Sequence, residues 1–463
     1  MPRPTGLSRL PVCVAAGNSV TVDVGADVLR RGGTAADAAA AMILTSCVAE
    51  TVFTGIGGGG FAVYVEGGRA VHCLDFFVAV PGLGGTRRLL AQEVPIDFGG
   101  EVVPYAVGPS TVAVPGLPAG VQGLHERWGR LPWADVVTPA LRHAERGVRL
   151  APMHAKVLST IAPAMLLGVG ADVYGRSGQT LTAGAMIHHP GLDVALTLLR
   201  DEGASAFYTG PIAEQMVGAI GSLGDLGEGD LAAYQVNDTT PRAIDLAATR
   251  VCARGDDLDD LLGTLERIAM HDDPVQLARS LVTALRRVPS RGDTTSLAVT
   301  DKDGNACAVT TSMGLSSGVW LPDYGIHMNS MLGEGELLRR RLVPGERMGS
   351  MMSPLVVDGD DGVVLVGGAA GGSRIRSSLV QVLINVVHHG MDVATAIAAP
   401  RLNPVPGRVH VEPGFDPAVL AALAADSEVV RWPALDSYFG GVAAIDHSGP
   451  GADPRRDGDV RRP

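Results

Sequence analysis

The chain is poor in lysine: only Lys156 and Lys302 stand among its 37 basic residues. It has no basic cluster, and 49 acidic side chains leave a formal charge of −12. Both absences argue against nucleic acid or anionic lipid as the main partner. Cysteine is scarce as well. Cys13, Cys47, Cys73, Cys252 and Cys307 are odd in number, scattered and without a C-x-x-C pair. That excludes a disulfide framework or a zinc ribbon and fits a reducing compartment. The longest uncharged helical-looking run, Ala38 to Ala49, is short of the roughly 20 residues that span a bilayer. The start, MPRPTGLSRLPVCVAAGN, has only a short apolar stretch before fold-like sequence, so no signal peptide is read there. A soluble, cytoplasmic protein is expected.

What is present is a large apolar share, 46% of 463 residues, enough for a sizeable core. At about 150 residues per domain this permits two or three lobes or one large α/β unit. No repeat or long linker divides the chain, which favours one intertwined unit. Residues 22–33 read as a short helix ended by glycines, and Thr34 caps a second helix, Ala35 to Ala49, apolar enough to be buried all round. The run Gly55-Ile56-Gly57-Gly58-Gly59-Gly60 leads into an alternating strand, residues 61–65. Residues 135–290 read as mostly helical. Thr294 to Thr300 alternates as a strand, Asp303-Gly304 signals a hairpin, and residues 306–312 return. Residues 363–366 form a buried strand that meets a glycine-rich turn before a helix over 374–389. The Pro, Gly, Asp and Arg-rich tail after Ser448 is expected to be disordered.

Few residues advertise chemistry by spacing. The 12 histidines show no HExxH and no metal-ligand spacing, and His188-His189 and His388-His389 sit at apparent element ends. Neither a metal nor another cofactor is expected. The 55–60 glycine run precedes a strand rather than joining strand to helix, and no Walker lysine follows, so nucleotide binding is rejected. The Gly371-Gly372 turn, between a buried strand and a helix, can present N–H groups to a developing anion. A threonine opening a hairpin strand, as in Gly292-Asp293-Thr294-Thr295-Ser296, is ordinary by itself, because β-branched residues suit strands.

The company these segments keep is not ordinary. VLRRGGTAADAAAA (28–41), TGIGGGGFAVYV (54–65), LDF (74–76), TVAVPGLPAGVQGLHERWGRLPW (111–133), GDLAAY (229–234), DTTSLAVTDKDGNACAVTTS (293–312), MMSPLVV (351–357), GGAAGGSRI (367–375) and VATAIAAPRLN (393–403) follow one another in order. Together they resemble the γ-glutamyltranspeptidases, self-cleaving N-terminal-nucleophile hydrolases. The resemblance implies a four-layer αββα sandwich. It implies a precursor that cuts itself between Asp293 and Thr294 into a large chain, 1–293, and a small chain, 294–463, that stay together as a heterodimer. Thr294 would supply both the Oγ nucleophile and the α-amine base, Gly371 and Gly372 the oxyanion hole, and Thr295 and Ser312 hydroxyl support.

The glutamate-reading positions depart from the family. Phe77 stands where an arginine grips the glutamyl α-carboxylate. Gly314, Met331, Glu334, Ser350 and Met351 stand where Asn, Gln, Asp and two Ser hold the α-amino and α-carboxyl groups. Losing a buried Arg–carboxylate clamp costs several kcal/mol, so a non-glutamyl small-molecule substrate is expected. The segment between Tyr234 and Thr294 is also shortened, leaving Ala247 to Pro289 as an expected helical connection. Some resembling sequences act in bacterial antibiotic pathways that make 4-alkylproline units, where an oxalyl-type group is removed by breaking a C–C bond. That reaction is the preferred reading. An amide hydrolase or acylase, a true γ-glutamyl hydrolase or transferase whose charge comes from Arg347 or Arg374, and an inactive binding homologue are the alternatives.

Overall fold

The computed structural model describes residues 9–67, 70–86, 91–97, 102–286 and 293–463. Gly292 and Pro289 lie outside them. In chain order the strands of the two main sheets begin with β1 (Cys13–Ala16), β2 (Gly59–Glu66), β3 (Ala70–Phe76) and β4 (Asn237–Thr239). They continue with β5 (Pro241–Leu246), β6 (Thr249–Arg254), β7 (Thr295–Thr300), β8 (Ala306–Ser312), β9 (Leu355–Gly359) and β10 (Gly362–Ala370). The last three are β11 (Gly441–Asp446), β12 (Gly449–Ala452) and β13 (Asp459–Arg461). A seven-stranded sheet has the order β4-β3-β2-β8-β7-β1-β13, and a six-stranded sheet β5-β6-β9-β10-β11-β12.

Strand alternation sorts side chains between different cores. In β7, Leu297 and Val299 join a core shared with the helices, whereas Ala298 joins one between the sheets. β1 and β8 divide in the same way, Val14 and Val309 to the helices, Ala15 and Ala308 to the opposite sheet. The inter-sheet core is built of small residues, including Ala15, Ala298, Ala308 and Ala443, which let the two sheets approach closely. Helices cover both outer faces: α1 (Ser19–Arg30), α2 (Ala35–Ala49) and α3 (Leu117–Trp128) on the first sheet, α4 (Leu261–Arg267), α5 (Pro274–Leu285) and α6 (Arg374–Leu383) on the second. The result is the expected four-layer αββα sandwich.

Local signals account for several elements. Every residue of α2 is buried, and Thr34 and Asp37 close a reciprocal capping box, each side chain accepting the other's backbone N–H. The β7–β8 hairpin turns where Asp301 accepts the N–H groups of Asp303 and Asn305, with Gly304 at φ 85°. Among the described residues no helix is long and apolar enough to cross a membrane.

Two expectations are corrected. Residues 237–254 are three strands rather than helix, so Ala247 to Pro289 is not a helical connection throughout; its helices are α4 and α5. The tail after Ser448 is ordered. β12 extends the second sheet, residues 454–456 form a 3₁₀ turn, and β13 pairs with β1 in the first sheet. Composition misleads here because tertiary charge pairing overrides it. Arg455 donates to Glu412 at 2.7 Å and Asp453 at 3.1 Å, while Arg401 meets Asp453 at 2.7 Å, all almost fully buried. The tail thus straps the two sheets together.

Removing one partner of such a network leaves a buried charge unmatched. Glu412→Ala is expected to cost about 3–5 kcal/mol in urea denaturation; a change below 1 kcal/mol (about fivefold in the equilibrium constant) would mean that the network does not hold the tail.

Candidate active site

Thr294 immediately precedes β7, a central strand of the first sheet, and faces the end of β10 in the second. There the chain turns into α6 through Gly371 at φ 120° and Gly372 at φ 58°, conformations that favour glycine. The turn aims the Gly371 N–H at Thr294 Oγ1, 2.7 Å away. Arg374 and Ile375 donate back to the Gly371 and Gly372 carbonyls at 3.1 and 3.0 Å, which fixes the turn.

The chain is continuous here, and the Asp293–Thr294 peptide is gripped from several sides. The Thr294 N–H donates to the Asp293 carboxylate at 2.8 Å. The Ser312 hydroxyl makes a short bond to the Asp293 carbonyl and accepts the Gly314 N–H at 3.0 Å. From the tail, Arg456 Nη1 reaches Asp293 Oδ1 at 2.7 Å and the Thr294 carbonyl at 3.3 Å. Ser312 therefore addresses the carbonyl before Thr294 rather than Thr294 Oγ1. Thr295 does not face Thr294 Oγ1 either: its hydroxyl, with that of Thr21, donates to Glu50. Burial pushes the Glu50 carboxyl upward against those bonds and the Arg456 charge.

Two small cavities share Thr294. One, of about 20 Å³, is lined by Phe77, Asp293, Thr294, Ser312, Met331, Glu334, Ser350, Met351 and Gly372. Leu337, Met352 and Ile375 complete its wall, so residues scattered from 77 to 372 meet in one place. The other, also of about 20 Å³, holds Thr295 with Glu50, Phe53 and Arg456. Gly314 lines neither. Its φ is +76°, and a Cβ there would fall 2.7 Å from Glu334 Oε1, so glycine admits Glu334 to the pocket.

Among the described residues no lysine or arginine lines the first cavity. Arg347 is turned away to Asp75, 3.3 Å, and lies over the Tyr234 ring; Arg374 lies over Tyr438. Glu334 accepts from the Tyr105 hydroxyl at 3.1 Å, which also bonds Ser330 Oγ at 2.6 Å. Burial above all, with Glu336 nearby, pushes the Glu334 carboxyl up to about 8, so it is mostly neutral near pH 7. His388 and His389 do gather with Asp272, ligand atoms within 4.8 Å, but none of the three lines either cavity.

Arg456, Glu50 and Tyr105 escape a sequence reading. Glu50 leaves a faint signal as the first acid after an apolar helix. Arg456 is masked by the composition of its tail, and Tyr105 by its ordinary strand.

A family model described as gamma-glutamyltranspeptidase matches residues 21–257 and 265–462. The chain is 25% identical over 476 aligned residues to the glutathione hydrolase proenzyme of Bacillus subtilis, covering 84% of this chain and 80% of that protein. Its fold is that of the cephalosporin acylase from Bacillus halodurans, with TM-score 0.80, 24% identity, and 100% and 97% of the two chains covered. It is also that of LmbA2991T421A, with TM-score 0.82, 21% identity and both chains covered completely.

The raised Glu334 pKa fixes a sign. The unfolded chain releases this proton near pH 4.5, the folded one near 8, so the residue's contribution to stability falls as pH rises between them. Glu334→Gln is expected to match wild type in denaturant midpoint near pH 4.5 and to exceed it above pH 8. A difference that shrinks with rising pH would contradict the burial argument.

Proposed function

The chain belongs to the γ-glutamyltranspeptidase family, and from that premise we propose that it is a self-processing N-terminal-threonine hydrolase with a pocket for a non-glutamyl group. Hydrolases of this family supply the reaction class. The observation that carries the substrate reading is the cavity beside Thr294, lined by Phe77, Met331, Met351 and Met352 with no basic side chain among the described residues. A zwitterionic glutamyl group would meet no cation there among the described residues for its carboxylate, at a cost of several kcal/mol.

Maturation begins at a peptide bond the site already holds. Ser312 polarises the Asp293 carbonyl, and Thr294 Oγ1 adds to its carbon. Collapse expels the Thr294 nitrogen, and water frees the ester, giving chains 1–293 and 294–463. The new α-amine, with an ordinary pKa of roughly 7.7–8.0, then serves as general base for its own hydroxyl near neutral pH. In turnover the N–H groups of Gly371 and Gly372 hold the developing oxyanion, as the Gly371 N–H holds Oγ1 in the intact chain.

The finer reaction we propose is C–C hydrolysis of an oxalyl-type group on an unsaturated pyrroline, as in 4-alkylproline biosynthesis. Thr294 Oγ1 adds to the ketone carbon. Collapse of the alkoxide expels the ring carbon, its electron pair delocalised into the conjugated imine and then protonated. Water cleaves the oxalyl ester to oxalate, so the net change is addition of one water across the C–C bond. Amide hydrolysis is the second reading, favoured because the first bond this site holds is itself an amide.

Oxalate release from an oxalyl-bearing pyrroline tests the proposal. Wild type is expected to release it and Thr294→Ala to fall at least 10²-fold, consistent with loss of a nucleophile. Neither should hydrolyse a γ-glutamyl anilide. Steady turnover of that anilide by wild type would overturn the non-glutamyl reading.

A further inference from the structure

The Arg456–Asp293 pair has a role that self-cleavage would change. Arg456 is buried, with its side chain 7% exposed, and Asp293 is its ion-pair partner at 2.7 Å. The guanidinium lies beside the oxyanion turn: a Cβ built on Gly371 would stand 3.3 Å from Arg456 Nη2. Nη1 also reaches the Thr294 carbonyl, and Nε is buried without a hydrogen-bond partner among the described residues. The cation is thus next to Thr294 and still has a donor to offer.

Contacts other than Asp293 also hold it in place. The guanidinium carbon sits 5.0 Å from the centre of the Phe53 ring. The preceding residue, Arg455, is locked to Glu412 and Asp453. The other acids lining this cavity are committed elsewhere, Glu50 to Thr21 and Thr295, Asp453 to Arg401 and Arg455. Among the described residues Asp293 alone forms an ion pair with Arg456, and Asp293 is the residue that becomes a chain end when the bond before Thr294 is cut. The cut also severs the covalent tie that holds Asp293 beside Thr294.

We propose that Arg456 is the carboxylate-binding group of the processed protein, occupied in the intact chain by the Asp293 side chain and vacated by cleavage for a substrate carboxylate next to the attacked carbonyl. This rests on the reading of self-cleavage given above. The substrate class is a 2-oxo carboxylate: its anion lies on Arg456, its carbonyl at Thr294 Oγ1 and the Gly371 N–H, and its carbon skeleton against Phe77 and Met331 in the other cavity. The intact chain is then inhibited by its own aspartate.

Oxamate, a small uncleaved analogue of such a group, tests the assignment by isothermal titration. In the uncut Thr294→Ala chain, Asp293 should exclude it. Adding Asp293→Ala should strengthen oxamate binding at least tenfold, further adding Arg456→Gln should abolish it, and Arg456→Lys should retain part, which separates loss of charge from misfolding. Processed wild type should bind like the Asp293→Ala, Thr294→Ala chain. Equal binding with and without Asp293, or binding that survives Arg456→Gln, overturns the assignment. Wild type that stays uncut while the Asp293→Ala, Thr294→Ala chain binds oxamate supports the Arg456 site and refutes the processing reading. Wild type that is cut but gains no oxamate binding refutes the Arg456 site alone.

Discussion

One hydrogen bond, from the Gly371 N–H to Thr294 Oγ1, joins the two sheets at the point where the chemistry is proposed. It forms only if β7 and β10 lie in register across the small-residue core and two successive glycines bend the chain into α6. The Ala-rich inter-sheet packing, the hairpin that starts β7 and the turn that ends β10 are therefore parts of one constraint. A larger side chain between the sheets would part these atoms without touching either, and a hydrogen bond lost by even 1 Å loses most of its value.

The charges around that bond are segregated. On one side, Phe77 and the methionines face a carboxyl, Glu334, that burial keeps neutral. On the other, Arg456 is the cation, bound to the aspartate that precedes Thr294. A polar zwitterion fits neither side well. A substrate with an apolar ring at one end and a carboxylate at the other matches both, once Asp293 has left.

Much of this was legible in the sequence for physical reasons. Period-two alternation and the Asp303-Gly304 turn marked the hairpin after Thr294, and an unbroken apolar run marked α2 as buried. Of the pocket positions that the resemblance implies, Phe77, Met331, Glu334, Ser350 and Met351 line one cavity with Thr294 and Gly314 does not. What escaped was long-range and electrostatic. The strands at 237–254 take their conformation from the sheets they complete. The tail after Ser448 is polar and rich in Pro, Gly and Asp, yet is held by buried ion pairs whose partners lie as far back as residue 401. No local pattern announces that Arg456 reaches Asp293 across 163 residues. The hydroxyls of Ser312 and Thr295 serve the Asp293 carbonyl and Glu50.

The central claim is that the bond between Asp293 and Thr294 is made to be broken by the chain itself. The denatured mass of freshly purified wild-type protein tests it most directly. Two species that divide the sequence between those residues are the predicted result. A single full-length species, unchanged after prolonged incubation at pH 8, would contradict the account.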